Sequence, residues 1–249
     1  MDNPTIIGVL GGMGPAATAD FFQKLIQATP AATDQEHFKL LIYSNPHVPD
    51  RTAAIRGEGE SPLPALIAGA DLLVRGGASF IAIPCVTAHV FFEGLQAATP
   101  IPILHIVGET ATAVRRERPA IRRLGLLATT GTITTRLFET QCEPHGLAIL
   151  APEASVQEAC VMPAIYGVKH GDDLAEPRRL IREAAAHLLA RGAEAVIAGC
   201  TEVPLILHDG DLPVPVIDPT RILAQASVRR AQSLTPHPAA SQRCYKDRG

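Results

Sequence analysis

Tryptophan is absent from this 249-residue chain, and aromatic residues make up only 4% of it. Too few rings are present to build the stacking platforms that hold single-stranded nucleic acid. Charge is scarce and nearly balanced: 22 Lys and Arg against 25 Asp and Glu leave a net charge of −3. That balance gives no field of one sign to attract nucleic acid or an anionic membrane. No apolar run approaches the ~20 residues that cross a bilayer. The longest candidate, Phe80 to Phe92, is interrupted by Pro84 and His89. No CxxC pair occurs among the five cysteines, Cys85, Cys142, Cys160, Cys200 and Cys244. This argues against a tetrahedral zinc site, and the odd number argues against a disulfide framework. The start, Met-Asp-Asn-Pro, has no basic stretch leading into an apolar one, so no signal peptide is expected. The resulting expectation is a cytoplasmic protein with free thiols.

Apolar residues are plentiful at 47%, with 19% charged. This composition supports a well-cored chain of one large domain or two of roughly 100–120 residues. Short apolar runs mark strands at Thr5–Leu10, Lys39–Tyr43, Phe80–Ile83, Ile103–Ile106, Leu124–Ala128, Ala148–Leu150, Ala195–Ala198 and Val214–Ile217. Most are continuous rather than alternating, as in strands buried on both faces. Amphipathic stretches between them predict helices at Ala16–Gln27, Pro64–Gly76, Thr110–Arg116, Thr135–His145, Glu176–Arg191 and Thr220–Gln232. The alternation predicts an α/β fold with mainly parallel sheets.

An internal repeat refines this. Ile6-Ile7-Gly8-Val9-Leu10 matches Arg123-Leu124-Gly125-Leu126-Leu127, an offset of 125 − 8 = 117. Residues 75–85, which end in Ile83-Pro84-Cys85, match 190–200, which end in Ala198-Gly199-Cys200; the offset is 200 − 85 = 115. Ile101-Pro102-Ile103-Leu104 matches Val214-Pro215-Val216-Ile217, with 215 − 102 = 113. The chain therefore reads as two pseudo-symmetric lobes, each a mainly parallel sheet flanked by helices. The expected division is 1–104 plus 214–235 for the first lobe and 105–213 for the second, with a fraying tail over 236–249.

Parallel sheets bind ligands beyond the carboxyl ends of their strands. Each repeat places a cysteine there, followed by polar residues: Thr87 and His89 after Cys85, Thr201 and Glu202 after Cys200. A cysteine is often a small buried hydrophobe, and Cys142, Cys160 and Cys244 are read so. Matching positions at two strand ends argue otherwise for Cys85 and Cys200. A pseudo-twofold axis would face the two thiols across one cleft. Two thiols on opposite sides of a small substrate suit proton exchange at one carbon, one as thiolate base and the other as thiol acid. The pattern is compatible with racemisation or epimerisation without a cofactor.

Gly8-x-x-Gly11-Gly12-Met13-Gly14 follows the first strand and precedes a helix. A dinucleotide fingerprint would need an acidic residue ending the second strand. Lys39–Tyr43 instead runs into Ser44-Asn45-Pro46. The loop suits a tight glycine turn, or backbone amides cradling a carboxylate at a helix N-terminus. Arg51, in Pro49-Asp50-Arg51-Thr52, has the chemistry of a bidentate carboxylate clamp, but the residues alone favour a solvated loop charge. Lys169 is ambiguous in the same way. Cys85-x3-His89 and Cys142-x2-His145 each lack a second ligand pair, so no metal is expected. His89 is expected to face the helix surface or bond a neighbour.

Gly-Val-Leu-Gly-Gly-Met-Gly-Pro (8–15), Asn-Pro-His-Val-Pro-Asp-Arg-Thr (45–52), Pro-Cys-Val-Thr-Ala-His (84–89), Gly-Leu-Leu-Ala-Thr-Thr-Gly-Thr (125–132) and Ala-Gly-Cys-Thr-Glu-Val (198–203) together resemble the aspartate racemases. These belong to the aspartate/glutamate racemase superfamily, which works without pyridoxal phosphate. The resemblance runs from about residue 5 to about residue 230. It implies a substrate site between two lobes, commonly a homodimer, and no cofactor or metal. By likeness, Cys85 and Cys200 are the two acid/base residues. Arg51 and Lys169 match basic residues near the substrate's side-chain carboxylate. The loop of Gly12, Met13 and Gly14, with Thr87, Thr130 and Thr201, would bind the α-carboxylate. Asp50 and Glu202 would partner the ammonium group or order the thiols. At one position the chain departs from the pattern: the family usually reads Pro-Cys-Asn-Thr-Ala-His, and here residue 86 is Val86. Loss of a hydrogen bond to a charged group costs roughly 1.5–3 kcal/mol, so Val86 bears on activity and on substrate choice. The alternatives are a broad-specificity or glutamate racemase, a hydantoin racemase, a cis–trans isomerase of the same superfamily, or a binding protein with a decayed site.

Overall fold

The computed structural model describes residues 5–171 and 173–234. The expected tail over 236–249, and Cys244 with it, lies outside the described residues. Among the described residues, eight strands form two four-stranded sheets, parallel at every pairing. The first contains β1 (Ile6–Gly11), β2 (Lys39–Ser44), β3 (Phe80–Ala82) and β4 (Ile103–Leu104), in the order β2-β1-β3-β4. The second contains β5 (Arg123–Leu127), β6 (Ala148–Leu150), β7 (Ala195–Ala198) and β8 (Val216–Ile217), in the order β6-β5-β7-β8. The same winding thus occurs twice. All eight strands fall where the apolar runs place them, because strands covered on both faces carry near-continuous apolar sequence.

The helices around the first sheet are α1 (Pro15–Ala28), α2 (Arg51–Arg56), α3 (Leu63–Arg75) and α4 (Phe92–Ala97). After β4 come α5 (Ile106–Glu117), α6 (Thr130–Thr134), α7 (Leu137–Cys142), α8 (Ala154–Val156), α9 (Met162–His170), α10 (Ala175–Ala190) and α11 (Pro219–Leu234). A π-helical turn, Gln157–Val161, joins α8 to α9. The helix expected over Thr135–His145 differs: Arg136, at φ 53°, separates α6 from α7, and a 3-10 turn takes Glu143–His145.

The duplication extends to the packing. Helix α3 buries Leu66, Gly69, Ala70 and Leu73. Helix α10 buries Ile181, Ala184, Ala185 and Leu188, each 115 residues further on. These are i, i+3, i+4 and i+7 positions, the stripe that seats a helix on a sheet. The Gly-Ala landmarks have the same cause. A Cβ on Gly8 would stand 2.9 Å from the Ala78 Cβ, and one on Gly125 would stand 3.1 Å from the Ala193 Cβ. Each pair lets the segment before β3 or β7 press against the central strand.

One expectation is corrected. The stretch 214–235 does not go to the first lobe as a unit. Val216 and Ile217 pair with Val196 and Ile197, so β8 closes the second sheet. The chain then crosses back, and α11 packs on α1 and α5. A buried ion pair secures this return. Lys24 of α1, 7% exposed, reaches Asp20 at 2.5 Å, Asp218 at 2.7 Å and the Thr220 hydroxyl at 2.7 Å. Removing one partner leaves poorly solvated charge behind. Lys24→Met is therefore expected to lower stability by about 2–4 kcal/mol, tempered by the part-exposed carboxylates. Urea unfolding checks it: the midpoint should fall with the slope unchanged.

Candidate active site

The carboxyl ends of the strands from both sheets converge on one narrow cleft. It is lined by Met13 after β1, by Asp50, Arg51 and Thr52 after β2, and by Cys85, Val86 and Thr87 after β3. The second lobe contributes Thr129 after β5, Lys169 from α9, and Cys200, Thr201 and Glu202 after β7. Both repeat-related cysteines thus open onto the same small space. A larger, open cleft lies beside Lys24 and Asp218, but Lys24 there is already fully partnered.

The two thiols have different surroundings. Cys200, 6% exposed, donates its thiol proton to Glu202 Oε2 at 2.8 Å. Burial pushes the Cys200 thiol well above its ordinary pKa, the Glu202 charge adds to this, and Lys169 opposes it. Cys200 is therefore held as a thiol. Glu202, 3% exposed, also accepts the Thr201 hydroxyl at 3.3 Å. Its Oε1 lies 3.4 Å from where a Gly14 Cβ would stand, so a side chain there would press on the carboxylate from the other lobe. Cys85, 5% exposed, has its amide on the Ile83 carbonyl and its own carbonyl on a His89 ring nitrogen. The remaining described cysteines differ. Cys142 is fully buried in the core, and burial with the nearby Glu139 pushes its thiol up to about 12. Cys160 sits in the core of the second lobe, its thiol also raised by burial.

Two cations face the cleft. Lys169 sits in the last turn of α9. The residue as a whole is exposed at the rim, while its ammonium stands among protein atoms. That burial alone would lower its pKa, and the facing Cys200, Glu202 and Cys85 outweigh it, so the ammonium stays charged. Arg51 is the first residue of α2, and its Nη1 donates to the carbonyls of Val48 and Pro49 at 3.0 and 2.9 Å. Its Nε is buried with no protein partner. An orphaned buried donor is costly unless a ligand supplies the acceptor. Asp50 caps α2 through the Ala53 amide at 2.8 Å. Its carboxylate thus fixes the helix turn that carries Arg51.

Three buried hydroxyls bridge the lobes. Thr87 Oγ1 lies 3.0 Å from both Thr129 Oγ1 and Thr132 Oγ1, and the last two are 3.1 Å apart. Three donors and three acceptors close in a triangle. Among the expected carboxylate binders, Met13, Thr87 and Thr201 reach the cleft, whereas Gly12, Gly14 and Thr130 are not among its lining residues. Gly12 donates its amide to Thr18 Oγ1 at 2.8 Å. Its φ of 95° and the Asn45 backbone, 2.3 Å from any Cβ, mark it as a close-packing turn glycine. Thr130 is held from behind, its amide on Met162 Sδ at 3.4 Å and its hydroxyl 3.4 Å from Gln157 Nε2. Thr52 and Thr129 line the cleft although sequence reasoning passed over both. Thr129 had a signal, being a threonine N-cap before Thr132 in the same motif. Val86 is buried in the core and turns no polar group to the cleft. Among the described residues no His/Cys/Asp/Glu cluster fits a metal ion, and no helix is long and apolar enough to cross a membrane.

Known proteins share this architecture over about nine-tenths of the chain. An aspartate racemase from Picrophilus torridus superposes with a TM-score of 0.82 at 28% identity, covering 92% of this chain and 97% of that one. An aspartate racemase homologue from Pyrococcus horikoshii gives 0.73 at 26%, covering 92% and 99%. A broad-specificity amino-acid racemase of Bacillus subtilis is 29% identical over 229 residues, 90% of this chain and 96% of its own. Residues 10–227 match the family described as Asp/Glu/hydantoin racemase. That span takes in both cysteine turns, both cations and the threonine bridge, and the chain belongs to the Asp/Glu/hydantoin racemase family.

Proposed function

We propose that the protein interconverts L- and D-aspartate without a cofactor, by a two-base mechanism at Cys85 and Cys200. The observation that carries this reading is the pair of repeat-related thiols lining one small cleft beside Lys169 and Arg51. In one direction Cys85, as thiolate, takes the α-proton: the Cα–H bond breaks, an S–H bond forms, and the electron pair stays on the substrate. Cys200, held as a thiol by Glu202, then gives its proton to the opposite face. Configuration is inverted, the total proton count is unchanged, and the two sulfurs have exchanged roles.

The carbanion needs positive charge and hydrogen-bond donors fixed in advance. The Met13 backbone and the Thr87, Thr129 and Thr201 hydroxyls line the cleft for the α-carboxylate, the hydroxyls by turning their protons from the triangle and from Glu202 onto the substrate. Arg51 Nε, unpartnered in the protein, and the Lys169 ammonium suit the side-chain carboxylate. Glu202 orders the Cys200 thiol. The same reading carries a reducing cytoplasmic setting and a homodimer; a native mass about twice the 26.4 kDa chain checks the latter.

Incubation with L-aspartate in heavy water tests the proposal. D-aspartate carrying one solvent deuteron at Cα is the expected product, by chiral separation and mass spectrometry. Aspartate binding without inversion or α-deuterium uptake would instead mark a binding protein. A second reading is favoured by Val86, an apolar side chain at the cleft: a broad-specificity racemase, as in the Bacillus relative. Comparable optical-rotation decay with several amino acids, acidic and neutral, distinguishes it from an aspartate enzyme.

A further inference from the structure

We infer that His89 is a positioning residue for Cys85, acting through the backbone carbonyl of that cysteine and tying it to the crossover between the lobes. The inference rests on the two-thiol reading above. The His89 ring is buried, at 3% exposure. Nδ1 lies 2.9 Å from the Cys85 carbonyl oxygen, while Nε2 lies 3.3 Å from both the Leu104 carbonyl oxygen and the Ile106 amide nitrogen. A neutral ring carries one proton; placed on Nδ1 it makes the shorter bond, to Cys85, and leaves Nε2 to accept from the Ile106 amide. Ile106 is the first residue of α5, two positions beyond the end of β4. One neutral imidazole thus links the turn that presents the thiol to the segment entering the second lobe. The ring is wedged in place by Phe92, stacked at 6.1 Å, and by His105 at 5.0 Å.

The second lobe has no counterpart. Four residues after Cys200 stands Pro204, which has no side-chain donor, where four residues after Cys85 stands His89. The Cys200 carbonyl is satisfied by the Val203 backbone amide at 2.9 Å. The duplicated framework therefore holds Cys200 by local backbone and by Glu202, and holds Cys85 by a side chain anchored on another element. Released from that anchor, the Cys85 turn loses a fixed carbonyl direction, and with it the aim of the sulfur.

Three variants separate the links. The Asn amide nitrogen occupies the Nδ1 position, so His89→Asn keeps the donor to Cys85 and loses the contact with Ile106. The Gln amide reaches the Nε2 position, so His89→Gln keeps an acceptor for Ile106 and loses the donor to Cys85. His89→Leu fills space and makes neither bond. Aspartate kcat is expected to fall least in the Asn variant, which keeps the bond to Cys85 and loses only its anchor, and to fall about tenfold to a hundredfold in the Gln and Leu variants, with KM little changed. Iodoacetamide labelling mapped by mass spectrometry should show an altered rate at Cys85 and an unaltered rate at Cys200 in the same two variants. An Asn variant as impaired as the Gln variant would overturn the inference, as would Cys85 labelling unchanged throughout. Labelling needs no turnover, so it judges His89 even if the wild-type protein racemises nothing. Should the Leu variant fail to fold, the Asn and Gln pair decides.

Discussion

Cys85→Ala and Cys200→Ala are each expected to lower aspartate racemisation by about 10²–10⁴-fold, the range for loss of a positioned acid or base. The loss must be equal in the two directions. The enantiomers have the same free energy in achiral water, so kcat/KM is the same both ways whatever residues are present. The asymmetry of the site is visible elsewhere, in exchange with solvent. A single remaining thiolate can remove the α-proton only from the enantiomer whose hydrogen faces it. Its S–H then trades with heavy water and returns deuterium to the same face. Each single variant should therefore label one enantiomer without inverting it, and the two variants should label opposite enantiomers. Proton NMR of the α-position reads this directly. Full two-way racemisation in either variant removes the two-base mechanism. Labelling of both enantiomers in one variant would place a further base in the cleft.

Much of this arrangement is legible in the chain because duplication writes it twice. The strand ends, the Gly-Ala contacts of Gly8 with Ala78 and Gly125 with Ala193, and the two cysteine turns all lie at nearly one offset. Short and long-range features are less visible. Helix α2 has six residues, too few for a period, and reads as a polar loop. Its marks were only the Asp50 cap and the left-handed Gly57 at its end. That difference matters for Arg51, whose position in a capped turn leaves its Nε buried and unclaimed rather than in solvent. The return of β8 to the second sheet reads wrongly because α11, just after it, carries an apolar face for α1 and α5. Neither the triangle of Thr87, Thr129 and Thr132 nor the bond from Ile106 to His89 has a local signal. The triangle joins residues that meet only once the lobes are docked, and the bond from Ile106 to His89 needs β4 seated beside β3 in the first sheet.

The charge beside Cys200 is the remaining lever. Glu202→Gln keeps a side-chain acceptor for the thiol and removes the negative charge that, with burial, raises the Cys200 pKa. The active enzyme needs one thiolate and one thiol, so activity is bell-shaped in pH, bounded by the two macroscopic ionisations of the pair. Acid loss follows protonation of the thiolate, and alkaline loss follows departure of the last thiol proton. Cys200 holds that last proton, since Glu202 opposes its loss. Without the carboxylate, the Cys200 thiol ionises more readily. The alkaline limb of kcat/KM should therefore move to lower pH. Activity at the optimum should also fall about 5- to 10-fold, because a hydrogen bond to a charged acceptor becomes one to a neutral acceptor, a difference of roughly 1–1.5 kcal/mol. Lys169 sets the opposite sign: its ammonium lowers the Cys200 pKa, but burial and the Glu202 charge outweigh it. A pH–rate profile of Glu202→Gln decides the matter. An alkaline limb that stays in place, or moves upward, would mean that Cys200 is not the acid of the resting pair, and the roles assigned to the two sulfurs would have to be exchanged.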